Sequence, residues 1–231
     1  MRKLFLSLLF IFAVNLPIAI AQNYSAGLSI EGGFPQGSFK HNVESNGIGI
    51  EGIMTVNMPS SPVSAGLDIG FYTYGTDRRK EVFNPNIPEV LLGVRTNNNI
   101  FTVHFFTRLQ SREGPLRPYM DALVGLNYLF TESSVTDDDE FDELASTTNF
   151  DDTALSYGLR GGVQVKVADY VDDTGPALGF YIDLKARYLV GGRAEYLKEG
   201  ALQNNNGRLE YTTSRSKTDL LSVGLGVVVT F

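Results

Sequence analysis

Residues 218 to 231, at the end of the chain, read TDLLSVGLGVVVTF. Side chains on a β-strand point alternately to opposite faces of the sheet. The stretch is therefore predicted to be a strand with one apolar face, one face of mostly small residues, and an aromatic end. The apolar face holds Leu221, Val223, Leu225, Val227, Val229 and Phe231, and the other face holds Leu220, Ser222, Gly224, Gly226, Val228 and Thr230.

Seven further segments show the same alternation, and each is long enough for a tilted strand to cross a bilayer. They cover residues 24–34, 47–57, 62–75, 99–110, 117–130, 153–168 and 177–191. Connections after the second, fourth and sixth segments are short, whereas those after the first, third, fifth and seventh are longer and polar. Tight turns at one rim and long loops at the other are typical of outer-membrane barrels. The predicted fold is all-β, an eight-stranded antiparallel up-and-down transmembrane β-barrel.

The N-terminus has the features of a cleaved secretory signal peptide. Arg2 and Lys3 precede an apolar run and a small-residue A-x-A box that ends at Ala21. We therefore expect a signal peptide over 1–21 and a barrel domain over 22–231. The chain has no cysteine, which argues against a lipoprotein anchor and against disulfides.

Alternation alone does not tell which face is inside, because a soluble lipocalin-like barrel shows the same pattern with its apolar face inward. Two features favour a polar interior. The polar face is rich in glycine, which suits a narrow lumen, and it carries five acids and five bases, as buried charges require. The predicted interior network comprises Glu31, Glu51, Asp68, His104, Arg108, Asp121, Arg160, Lys166, Asp183, Lys185 and Arg187.

Aromatic residues lie toward the ends of the apolar face, as in the girdles that flank a membrane. Phe71, Phe101, Tyr128, Phe130, Tyr157 and Tyr188 are predicted near the long-loop rim, and Tyr24, Phe180 and Phe231 near the other.

These features together resemble the small eight-stranded outer-membrane barrels of the OmpA/OmpX type. The resemblance covers the whole mature chain, and it implies contact with outer-membrane lipid in a Gram-negative bacterium. It also implies insertion by the outer-membrane assembly machinery, with Phe231 as part of the recognition signal. It names no activity, since this fold has structural, adhesive, resistance and enzymatic members. We expect a monomer.

The interior charges have two interpretations. They line a solute pathway through Glu51, Asp121, Arg108 and Arg187, or they form a salt-bridged plug. Eight strands enclose an interior just wide enough for side chains to fill, so the plug is favoured.

A long acidic connection is predicted over residues 132–152. It carries nine acids and no Lys or Arg, while the rest of the mature chain has 17 acids and 17 bases. Such a loop suits a basic partner or Ca²⁺, but it lacks the glycine and spacing of an EF-hand, so we predict no metal site. The acids at its centre are Asp137, Asp138, Asp139, Glu140, Asp142 and Glu143.

No catalytic residue is predicted. His41 lies in the first long connection, and His104 lies on the lumen face without a serine on the same face of its own strand. The asparagine runs at 97–99 and 204–207 are predicted to be turns. No cofactor fingerprint and no basic nucleic-acid patch is present.

The expected function is therefore non-enzymatic, a structural or surface-interaction role through the extracellular loops. A narrow solute channel or a small-ligand-binding barrel is the alternative. A lipid-modifying enzyme is the third.

Overall fold

The computed structural model describes residues 24–43, 45–59, 61–84, 87–111, 113–136, 143–171, 178–205 and 208–231. The predicted signal peptide lies outside these residues. The described part contains ten strands and one short helix. They are β1 (Tyr24–Pro35), α1 (Gly37–Asn42), β2 (Gly47–Asn57), β3 (Val63–Asn84), β4 (Ile87–Gln110), β5 (Leu116–Thr136), β6 (Glu143–Tyr170), β7 (Leu178–Gly191), β8 (Arg193–Asn205), β9 (Arg208–Lys217) and β10 (Leu220–Thr230).

Eight of the strands form a closed barrel in the order β1-β10-β7-β6-β5-β4-β3-β2. Every neighbouring pair is antiparallel, so the predicted eight-stranded up-and-down topology is confirmed. The barrel closes where β1 pairs with β10, from Ser25 opposite Thr230 to Pro35 opposite Leu220. Closure leaves no sheet edge within the barrel wall, which a strand in lipid requires.

Large apolar side chains cover the outside of the barrel, and charged side chains fill the inside. Leu28, Phe105 and Leu225 are 67%, 68% and 60% exposed, while Asp68 and Asp121 are 0% exposed. This distribution is the reverse of a soluble barrel and resolves the ambiguity of the alternation. None of the helices in the described residues is long and apolar enough to span a membrane.

Aromatic side chains lie at one level on the outer face of three adjacent strands. Phe71, Phe101 and Tyr128 are directly paired across β3, β4 and β5. Phe130 stacks on Tyr128 with ring centroids 5.3 Å apart. At the opposite end Tyr24 stacks on Phe231, at 6.4 Å. We call the group of Phe71, Phe101, Tyr128 and Phe130 the upper aromatic belt.

Four strands continue past the upper aromatic belt. β3 and β4 pair as far as Asn84 opposite Ile87, and β5 and β6 pair as far as Thr136 opposite Glu143. We call this extension, residues 75–84, 87–98, 131–136 and 143–150, the protruding sheet. The prediction of long polar loops after the third and fifth segments is therefore wrong over these residues.

The asparagine run at 97–99 lies within β4, so its prediction as a turn is also wrong. Its side chains pair across the sheet: Thr131 donates to Asn98 at 2.7 Å and Thr73 donates to Asn99 at 2.8 Å. These bonds engage the amide oxygens of Asn98 and Asn99 within a strand. Asn204 and Asn205 lie in β8.

Between β7 and β10 the chain forms a separate two-stranded sheet of β8 and β9. This hairpin and α1 lie over the upper mouth of the barrel. Phe39 of α1 is fully buried, with its ring 5.5 Å from Tyr74 and 5.1 Å from Tyr196. The sequence predicted neither α1 nor this hairpin.

Candidate functional site

The interior of the barrel is a network of ion pairs that joins opposite walls. Glu31, Glu51 and Asp68 lie on β1, β2 and β3, whereas Arg160 lies on β6 and Arg187 on β7. All are nearly inaccessible to solvent. Because acids and bases lie on different strands, their attraction acts across the lumen.

Two arginines form the centre of this network. Arg160 Nη1 donates to Glu51 Oε1 at 2.9 Å and to Asp68 Oδ2 at 2.5 Å. Arg187 Nη1 donates to Asp68 Oδ1 at 2.9 Å and lies 2.8 Å from Glu51 Oε2. Arg187 also donates to the Tyr72 hydroxyl. Arg160 and Arg187 are direct cross-strand neighbours. The two acids that they share, Glu51 and Asp68, offset the repulsion between the two guanidinium groups.

A second group of ion pairs runs along the wall itself. Arg108 donates to both oxygens of Asp121, at 2.8 Å and 3.0 Å, and Arg160 Nε donates to Asp121 at 2.6 Å. Arg108, Asp121 and Arg160 are consecutive in register across β4, β5 and β6. The Arg108 guanidinium also stacks over the Tyr119 ring at 3.8 Å.

Gly224 makes room for a third group of ion pairs, between Lys185 and the acids Glu31 and Glu51. Lys185 lies 3.3 Å from Glu31 Oε1 and donates to Glu51. Gly224 lies between Lys185 and Glu31 in the barrel register. A Cβ on Gly224 would lie 2.0 Å from Glu31 Oε1, so the glycine leaves the space that the carboxylate occupies.

Two predicted members of the network are placed differently from the rest. Lys166 is partly exposed and pairs with Asp169 at 2.8 Å, near the short-turn rim. Asp183 is buried, but within the described residues its one polar contact is the Tyr119 hydroxyl, which donates to Oδ2 at 3.0 Å. The central network of ion pairs therefore holds four acids, Glu31, Glu51, Asp68 and Asp121, and four bases, Arg108, Arg160, Lys185 and Arg187, with His104 beside them.

His104 contacts a serine that sequence reasoning missed. Its Nε2 lies 2.6 Å from Ser156 Oγ, and its Nδ1 lies 3.9 Å from Asp68 Oδ1. Ser156 is on β6, and it reaches His104 because Gly125 lies between them in register. A glycine between two polar positions is the sequence signal that would have indicated this contact.

The histidine, serine and aspartate have the residue types of a hydrolytic triad, but no substrate reaches them in this arrangement. His104 and Asp68 are 0% exposed and Ser156 is 1% exposed. Ser156 donates to Asn127 Oδ1 at 2.9 Å. We assign these groups to the interior hydrogen-bond network. His41, in α1, is exposed and far along the chain from them.

Aromatic and apolar side chains close the lumen above the ion pairs. Tyr72, Tyr74 and Ile100 are buried at the inner face and form one cluster with Phe39 of α1 and Tyr196 of β8. At the other end Tyr181 packs with Ile53 and Val228. The network thus lies between two apolar layers.

The central acids of the predicted acidic loop, Asp137, Asp138, Asp139, Glu140 and Asp142, lie outside the described residues. Glu143 begins β6. Within the described part of the chain, no group of three or more His, Cys, Asp or Glu residues is placed to hold a metal ion.

The chain is similar to solved structures of outer-membrane barrels. Neisserial surface protein A has a TM-score of 0.50 at 13% identity, over 92% of this chain and 99% of that chain. The attachment invasion locus protein Ail of Yersinia pestis has a TM-score of 0.43 at 12% identity, over 92% and 100%. A major outer membrane protein from Thermus thermophilus has a TM-score of 0.43 at 12% identity, over 90% and 99%. No family model and no curated protein matches the sequence.

The closed barrel, its apolar exterior and the likeness to the neisserial protein define the class of this protein. It is a small eight-stranded outer-membrane β-barrel. The resemblance to the OmpA/OmpX type and the outer-membrane location are thereby confirmed.

Proposed function

We propose that this protein is a non-enzymatic, non-conducting outer-membrane barrel that acts at the cell surface through its protruding sheet. One contrast carries the proposal: side chains fill the described lumen, while four strands continue as a paired sheet, with four register shifts, beyond the upper aromatic belt. A filled lumen supports a scaffold rather than a passage. An ordered sheet outside the membrane supports a role as a binding surface.

Side-chain hydrogen bonds link the strands of the protruding sheet at its base. Thr76 donates to Asn97 at 3.0 Å, and Thr96 and Ser133 are bonded at 2.8 Å. Asn149 donates to Ser133 at 2.8 Å. A surface held in one conformation loses little entropy on binding a partner.

The protruding sheet also has a strand edge. β2 pairs with β3 only as far as Ile48 opposite Thr73, so in the described chain β2 does not cover β3 from Gly75 to Asn84. An uncovered edge presents backbone N–H and C=O groups to which an extended segment can add. This edge supports a polypeptide partner as one kind of contact.

The burial of His104 and Ser156 supports a non-enzymatic role, since a lipid-directed site must be reachable from the bilayer or the rim. The alternative of a narrow channel or small-ligand barrel needs a route past both apolar layers. No observation on the described lumen favours that alternative.

The surface role is tested by shortening the protrusion. Residues 76–97 are replaced by a short Asn-Gly turn, which keeps β3 and β4 paired up to Gly75 and Asn98. As a matched control, residues 203–210 at the tip of the β8–β9 hairpin are replaced in the same way. A heat-modifiable gel shift checks that each variant is folded.

Adherence of cells that display each variant is then measured on protein- and polysaccharide-coated surfaces. We expect the control to adhere like the full chain, and the shortened protrusion to reduce adherence to that of cells without the protein. Equal adherence by the shortened and full chains would contradict the proposal.

A further inference from the structure

Two arginines lie directly opposite each other on the protruding sheet. Arg78 of β3 pairs in register with Arg95 of β4, and both side chains are exposed. Opposed residues of an antiparallel pair share one face, with their Cβ atoms about 5 Å apart. Like charges at this separation destabilise a sheet unless an anion neutralises them.

Neither guanidinium forms an ion pair with an acid in the described part of the chain. Arg95 Nε donates to Asn97 Oδ1 at 3.2 Å, and the same oxygen accepts from Thr76 at 3.0 Å. This bond orients Arg95 without neutralising it. The nearest acid along β3, Asp77, lies on the opposite face and contacts Arg79 at 3.8 Å.

We infer that Arg78 and Arg95 form a binding site for an oxyanion, a phosphate or sulfate group carried by an extracellular polysaccharide. Each guanidinium is a planar fork that matches two oxygens of such a group. Two forks side by side bind one tetrahedral anion, or two anions along a chain. This assignment rests on the proposed surface function and specifies its ligand.

The neighbours of the arginine pair favour a saccharide carrier. On the same face the register continues from Arg95 to Ser134 on β5 and to Ser146 on β6. Small hydroxyl side chains donate to and accept from sugar hydroxyls. Glu132 lies opposite Asn97, so this acid is on the membrane side of the arginine pair.

The position of the pair argues against lipid phosphate as the anion. Arg95 is six residues beyond Phe101 of the upper aromatic belt, which is about 20 Å along the strand. Even at a tilt of about 45°, the height is about 14 Å, against about 5 to 8 Å for a headgroup layer. The site therefore faces the outside of the cell.

The test measures binding of dextran sulfate to the purified full chain in neutral detergent. We compare the native chain with the double variant Arg78→Gln/Arg95→Gln. The double variant Arg215→Gln/Lys217→Gln is the matched control, because it removes two charges from exposed positions on the β8–β9 hairpin. Uncharged dextran tests the need for the anion, and phosphatidylglycerol vesicles serve as competitor.

We expect the native chain to bind dextran sulfate and not dextran, with affinity that falls as salt rises. The Arg78/Arg95 variant is expected to bind about ten-fold more weakly or worse, and the control within about two-fold of native. No binding by the native chain, an equal loss in the control, or full displacement by the vesicles would overturn the inference. Loss of adherence on shortening the protrusion, with no effect of the arginine changes, would overturn it and leave the proposed function standing.

Discussion

Removal of different charged side chains from the lumen should change the free energy of unfolding by different amounts. Glu51 is shared by Arg160, Arg187 and Lys185, whereas Asp183 has no cation within ion-pair distance in the described chain. Removing one member of a buried ion pair leaves the others unpaired in a low dielectric, which is costly. Removing a buried charge that has no counterion relieves the desolvation penalty of that charge.

Glu51→Gln is therefore expected to lower the free energy of unfolding by about 3 to 5 kcal/mol. Asp183→Asn is expected to change it by less than about 1 kcal/mol, because the amide oxygen still accepts from Tyr119. Denaturant unfolding of both variants in lipid vesicles measures the difference. Equal losses would show that the network does not depend on shared counterions.

The strands in the membrane could be predicted from sequence, and those outside it could not. Within lipid, one face of each strand must be apolar, so the alternation in β7 and β10 identifies them directly. In the protruding sheet neither face has to be apolar, and even buried positions are polar, such as Asn98, whose side-chain oxygen accepts a cross-strand hydrogen bond from Thr131. No alternation of apolar and polar residues therefore marks the protruding strands in the sequence.

The site could be predicted in part for a similar reason. Parity along each strand was enough to select buried acids and bases, since it fixes which side chains point inward. Parity does not give register between distant strands, so the contact of His104 with Ser156 was missed. Nor does it give depth, which is why Lys166 was placed in the network although it lies near the rim.

Glycines in the lumen wall give a prediction at the scale of the strand. A Cβ on Gly125 would lie 1.9 Å from the Val103 carbonyl oxygen, whereas nothing lies within 4 Å of a Cβ on Gly161. Gly125→Ala is expected to cost about 1 to 3 kcal/mol and to separate His104 from Ser156. Gly161→Ala, on the outer face, is the control and should be nearly neutral. The temperature of the heat-modifiable gel shift compares them, and equal temperatures would contradict the packing described for β5.

At the scale of the whole molecule, the barrel depends on closing β1 onto β10. The last residue contributes two backbone bonds, Phe231 N–H to Tyr24 C=O at 3.0 Å and Tyr24 N–H to Phe231 C=O at 3.1 Å. These bonds do not use the Phe231 side chain, so they can form without it.

Phe231→Ala is accordingly expected to refold in detergent like the native chain. In cells it should reach the outer membrane several-fold less, because the terminal aromatic is the proposed assembly signal. Membrane fractionation with quantitative immunoblotting measures this. Native amounts of the variant in the outer membrane would show that the Phe231 side chain is not part of the assembly signal.

The central claim is that ion pairs across the lumen and apolar layers at both ends make the barrel a closed scaffold. Single-channel recording of the folded full-length protein in planar bilayers tests this claim most directly, with the gel shift of the same sample as proof of folding. We predict no stable conductance at any voltage that the bilayer tolerates. Reproducible unitary current steps that scale with protein concentration would contradict it.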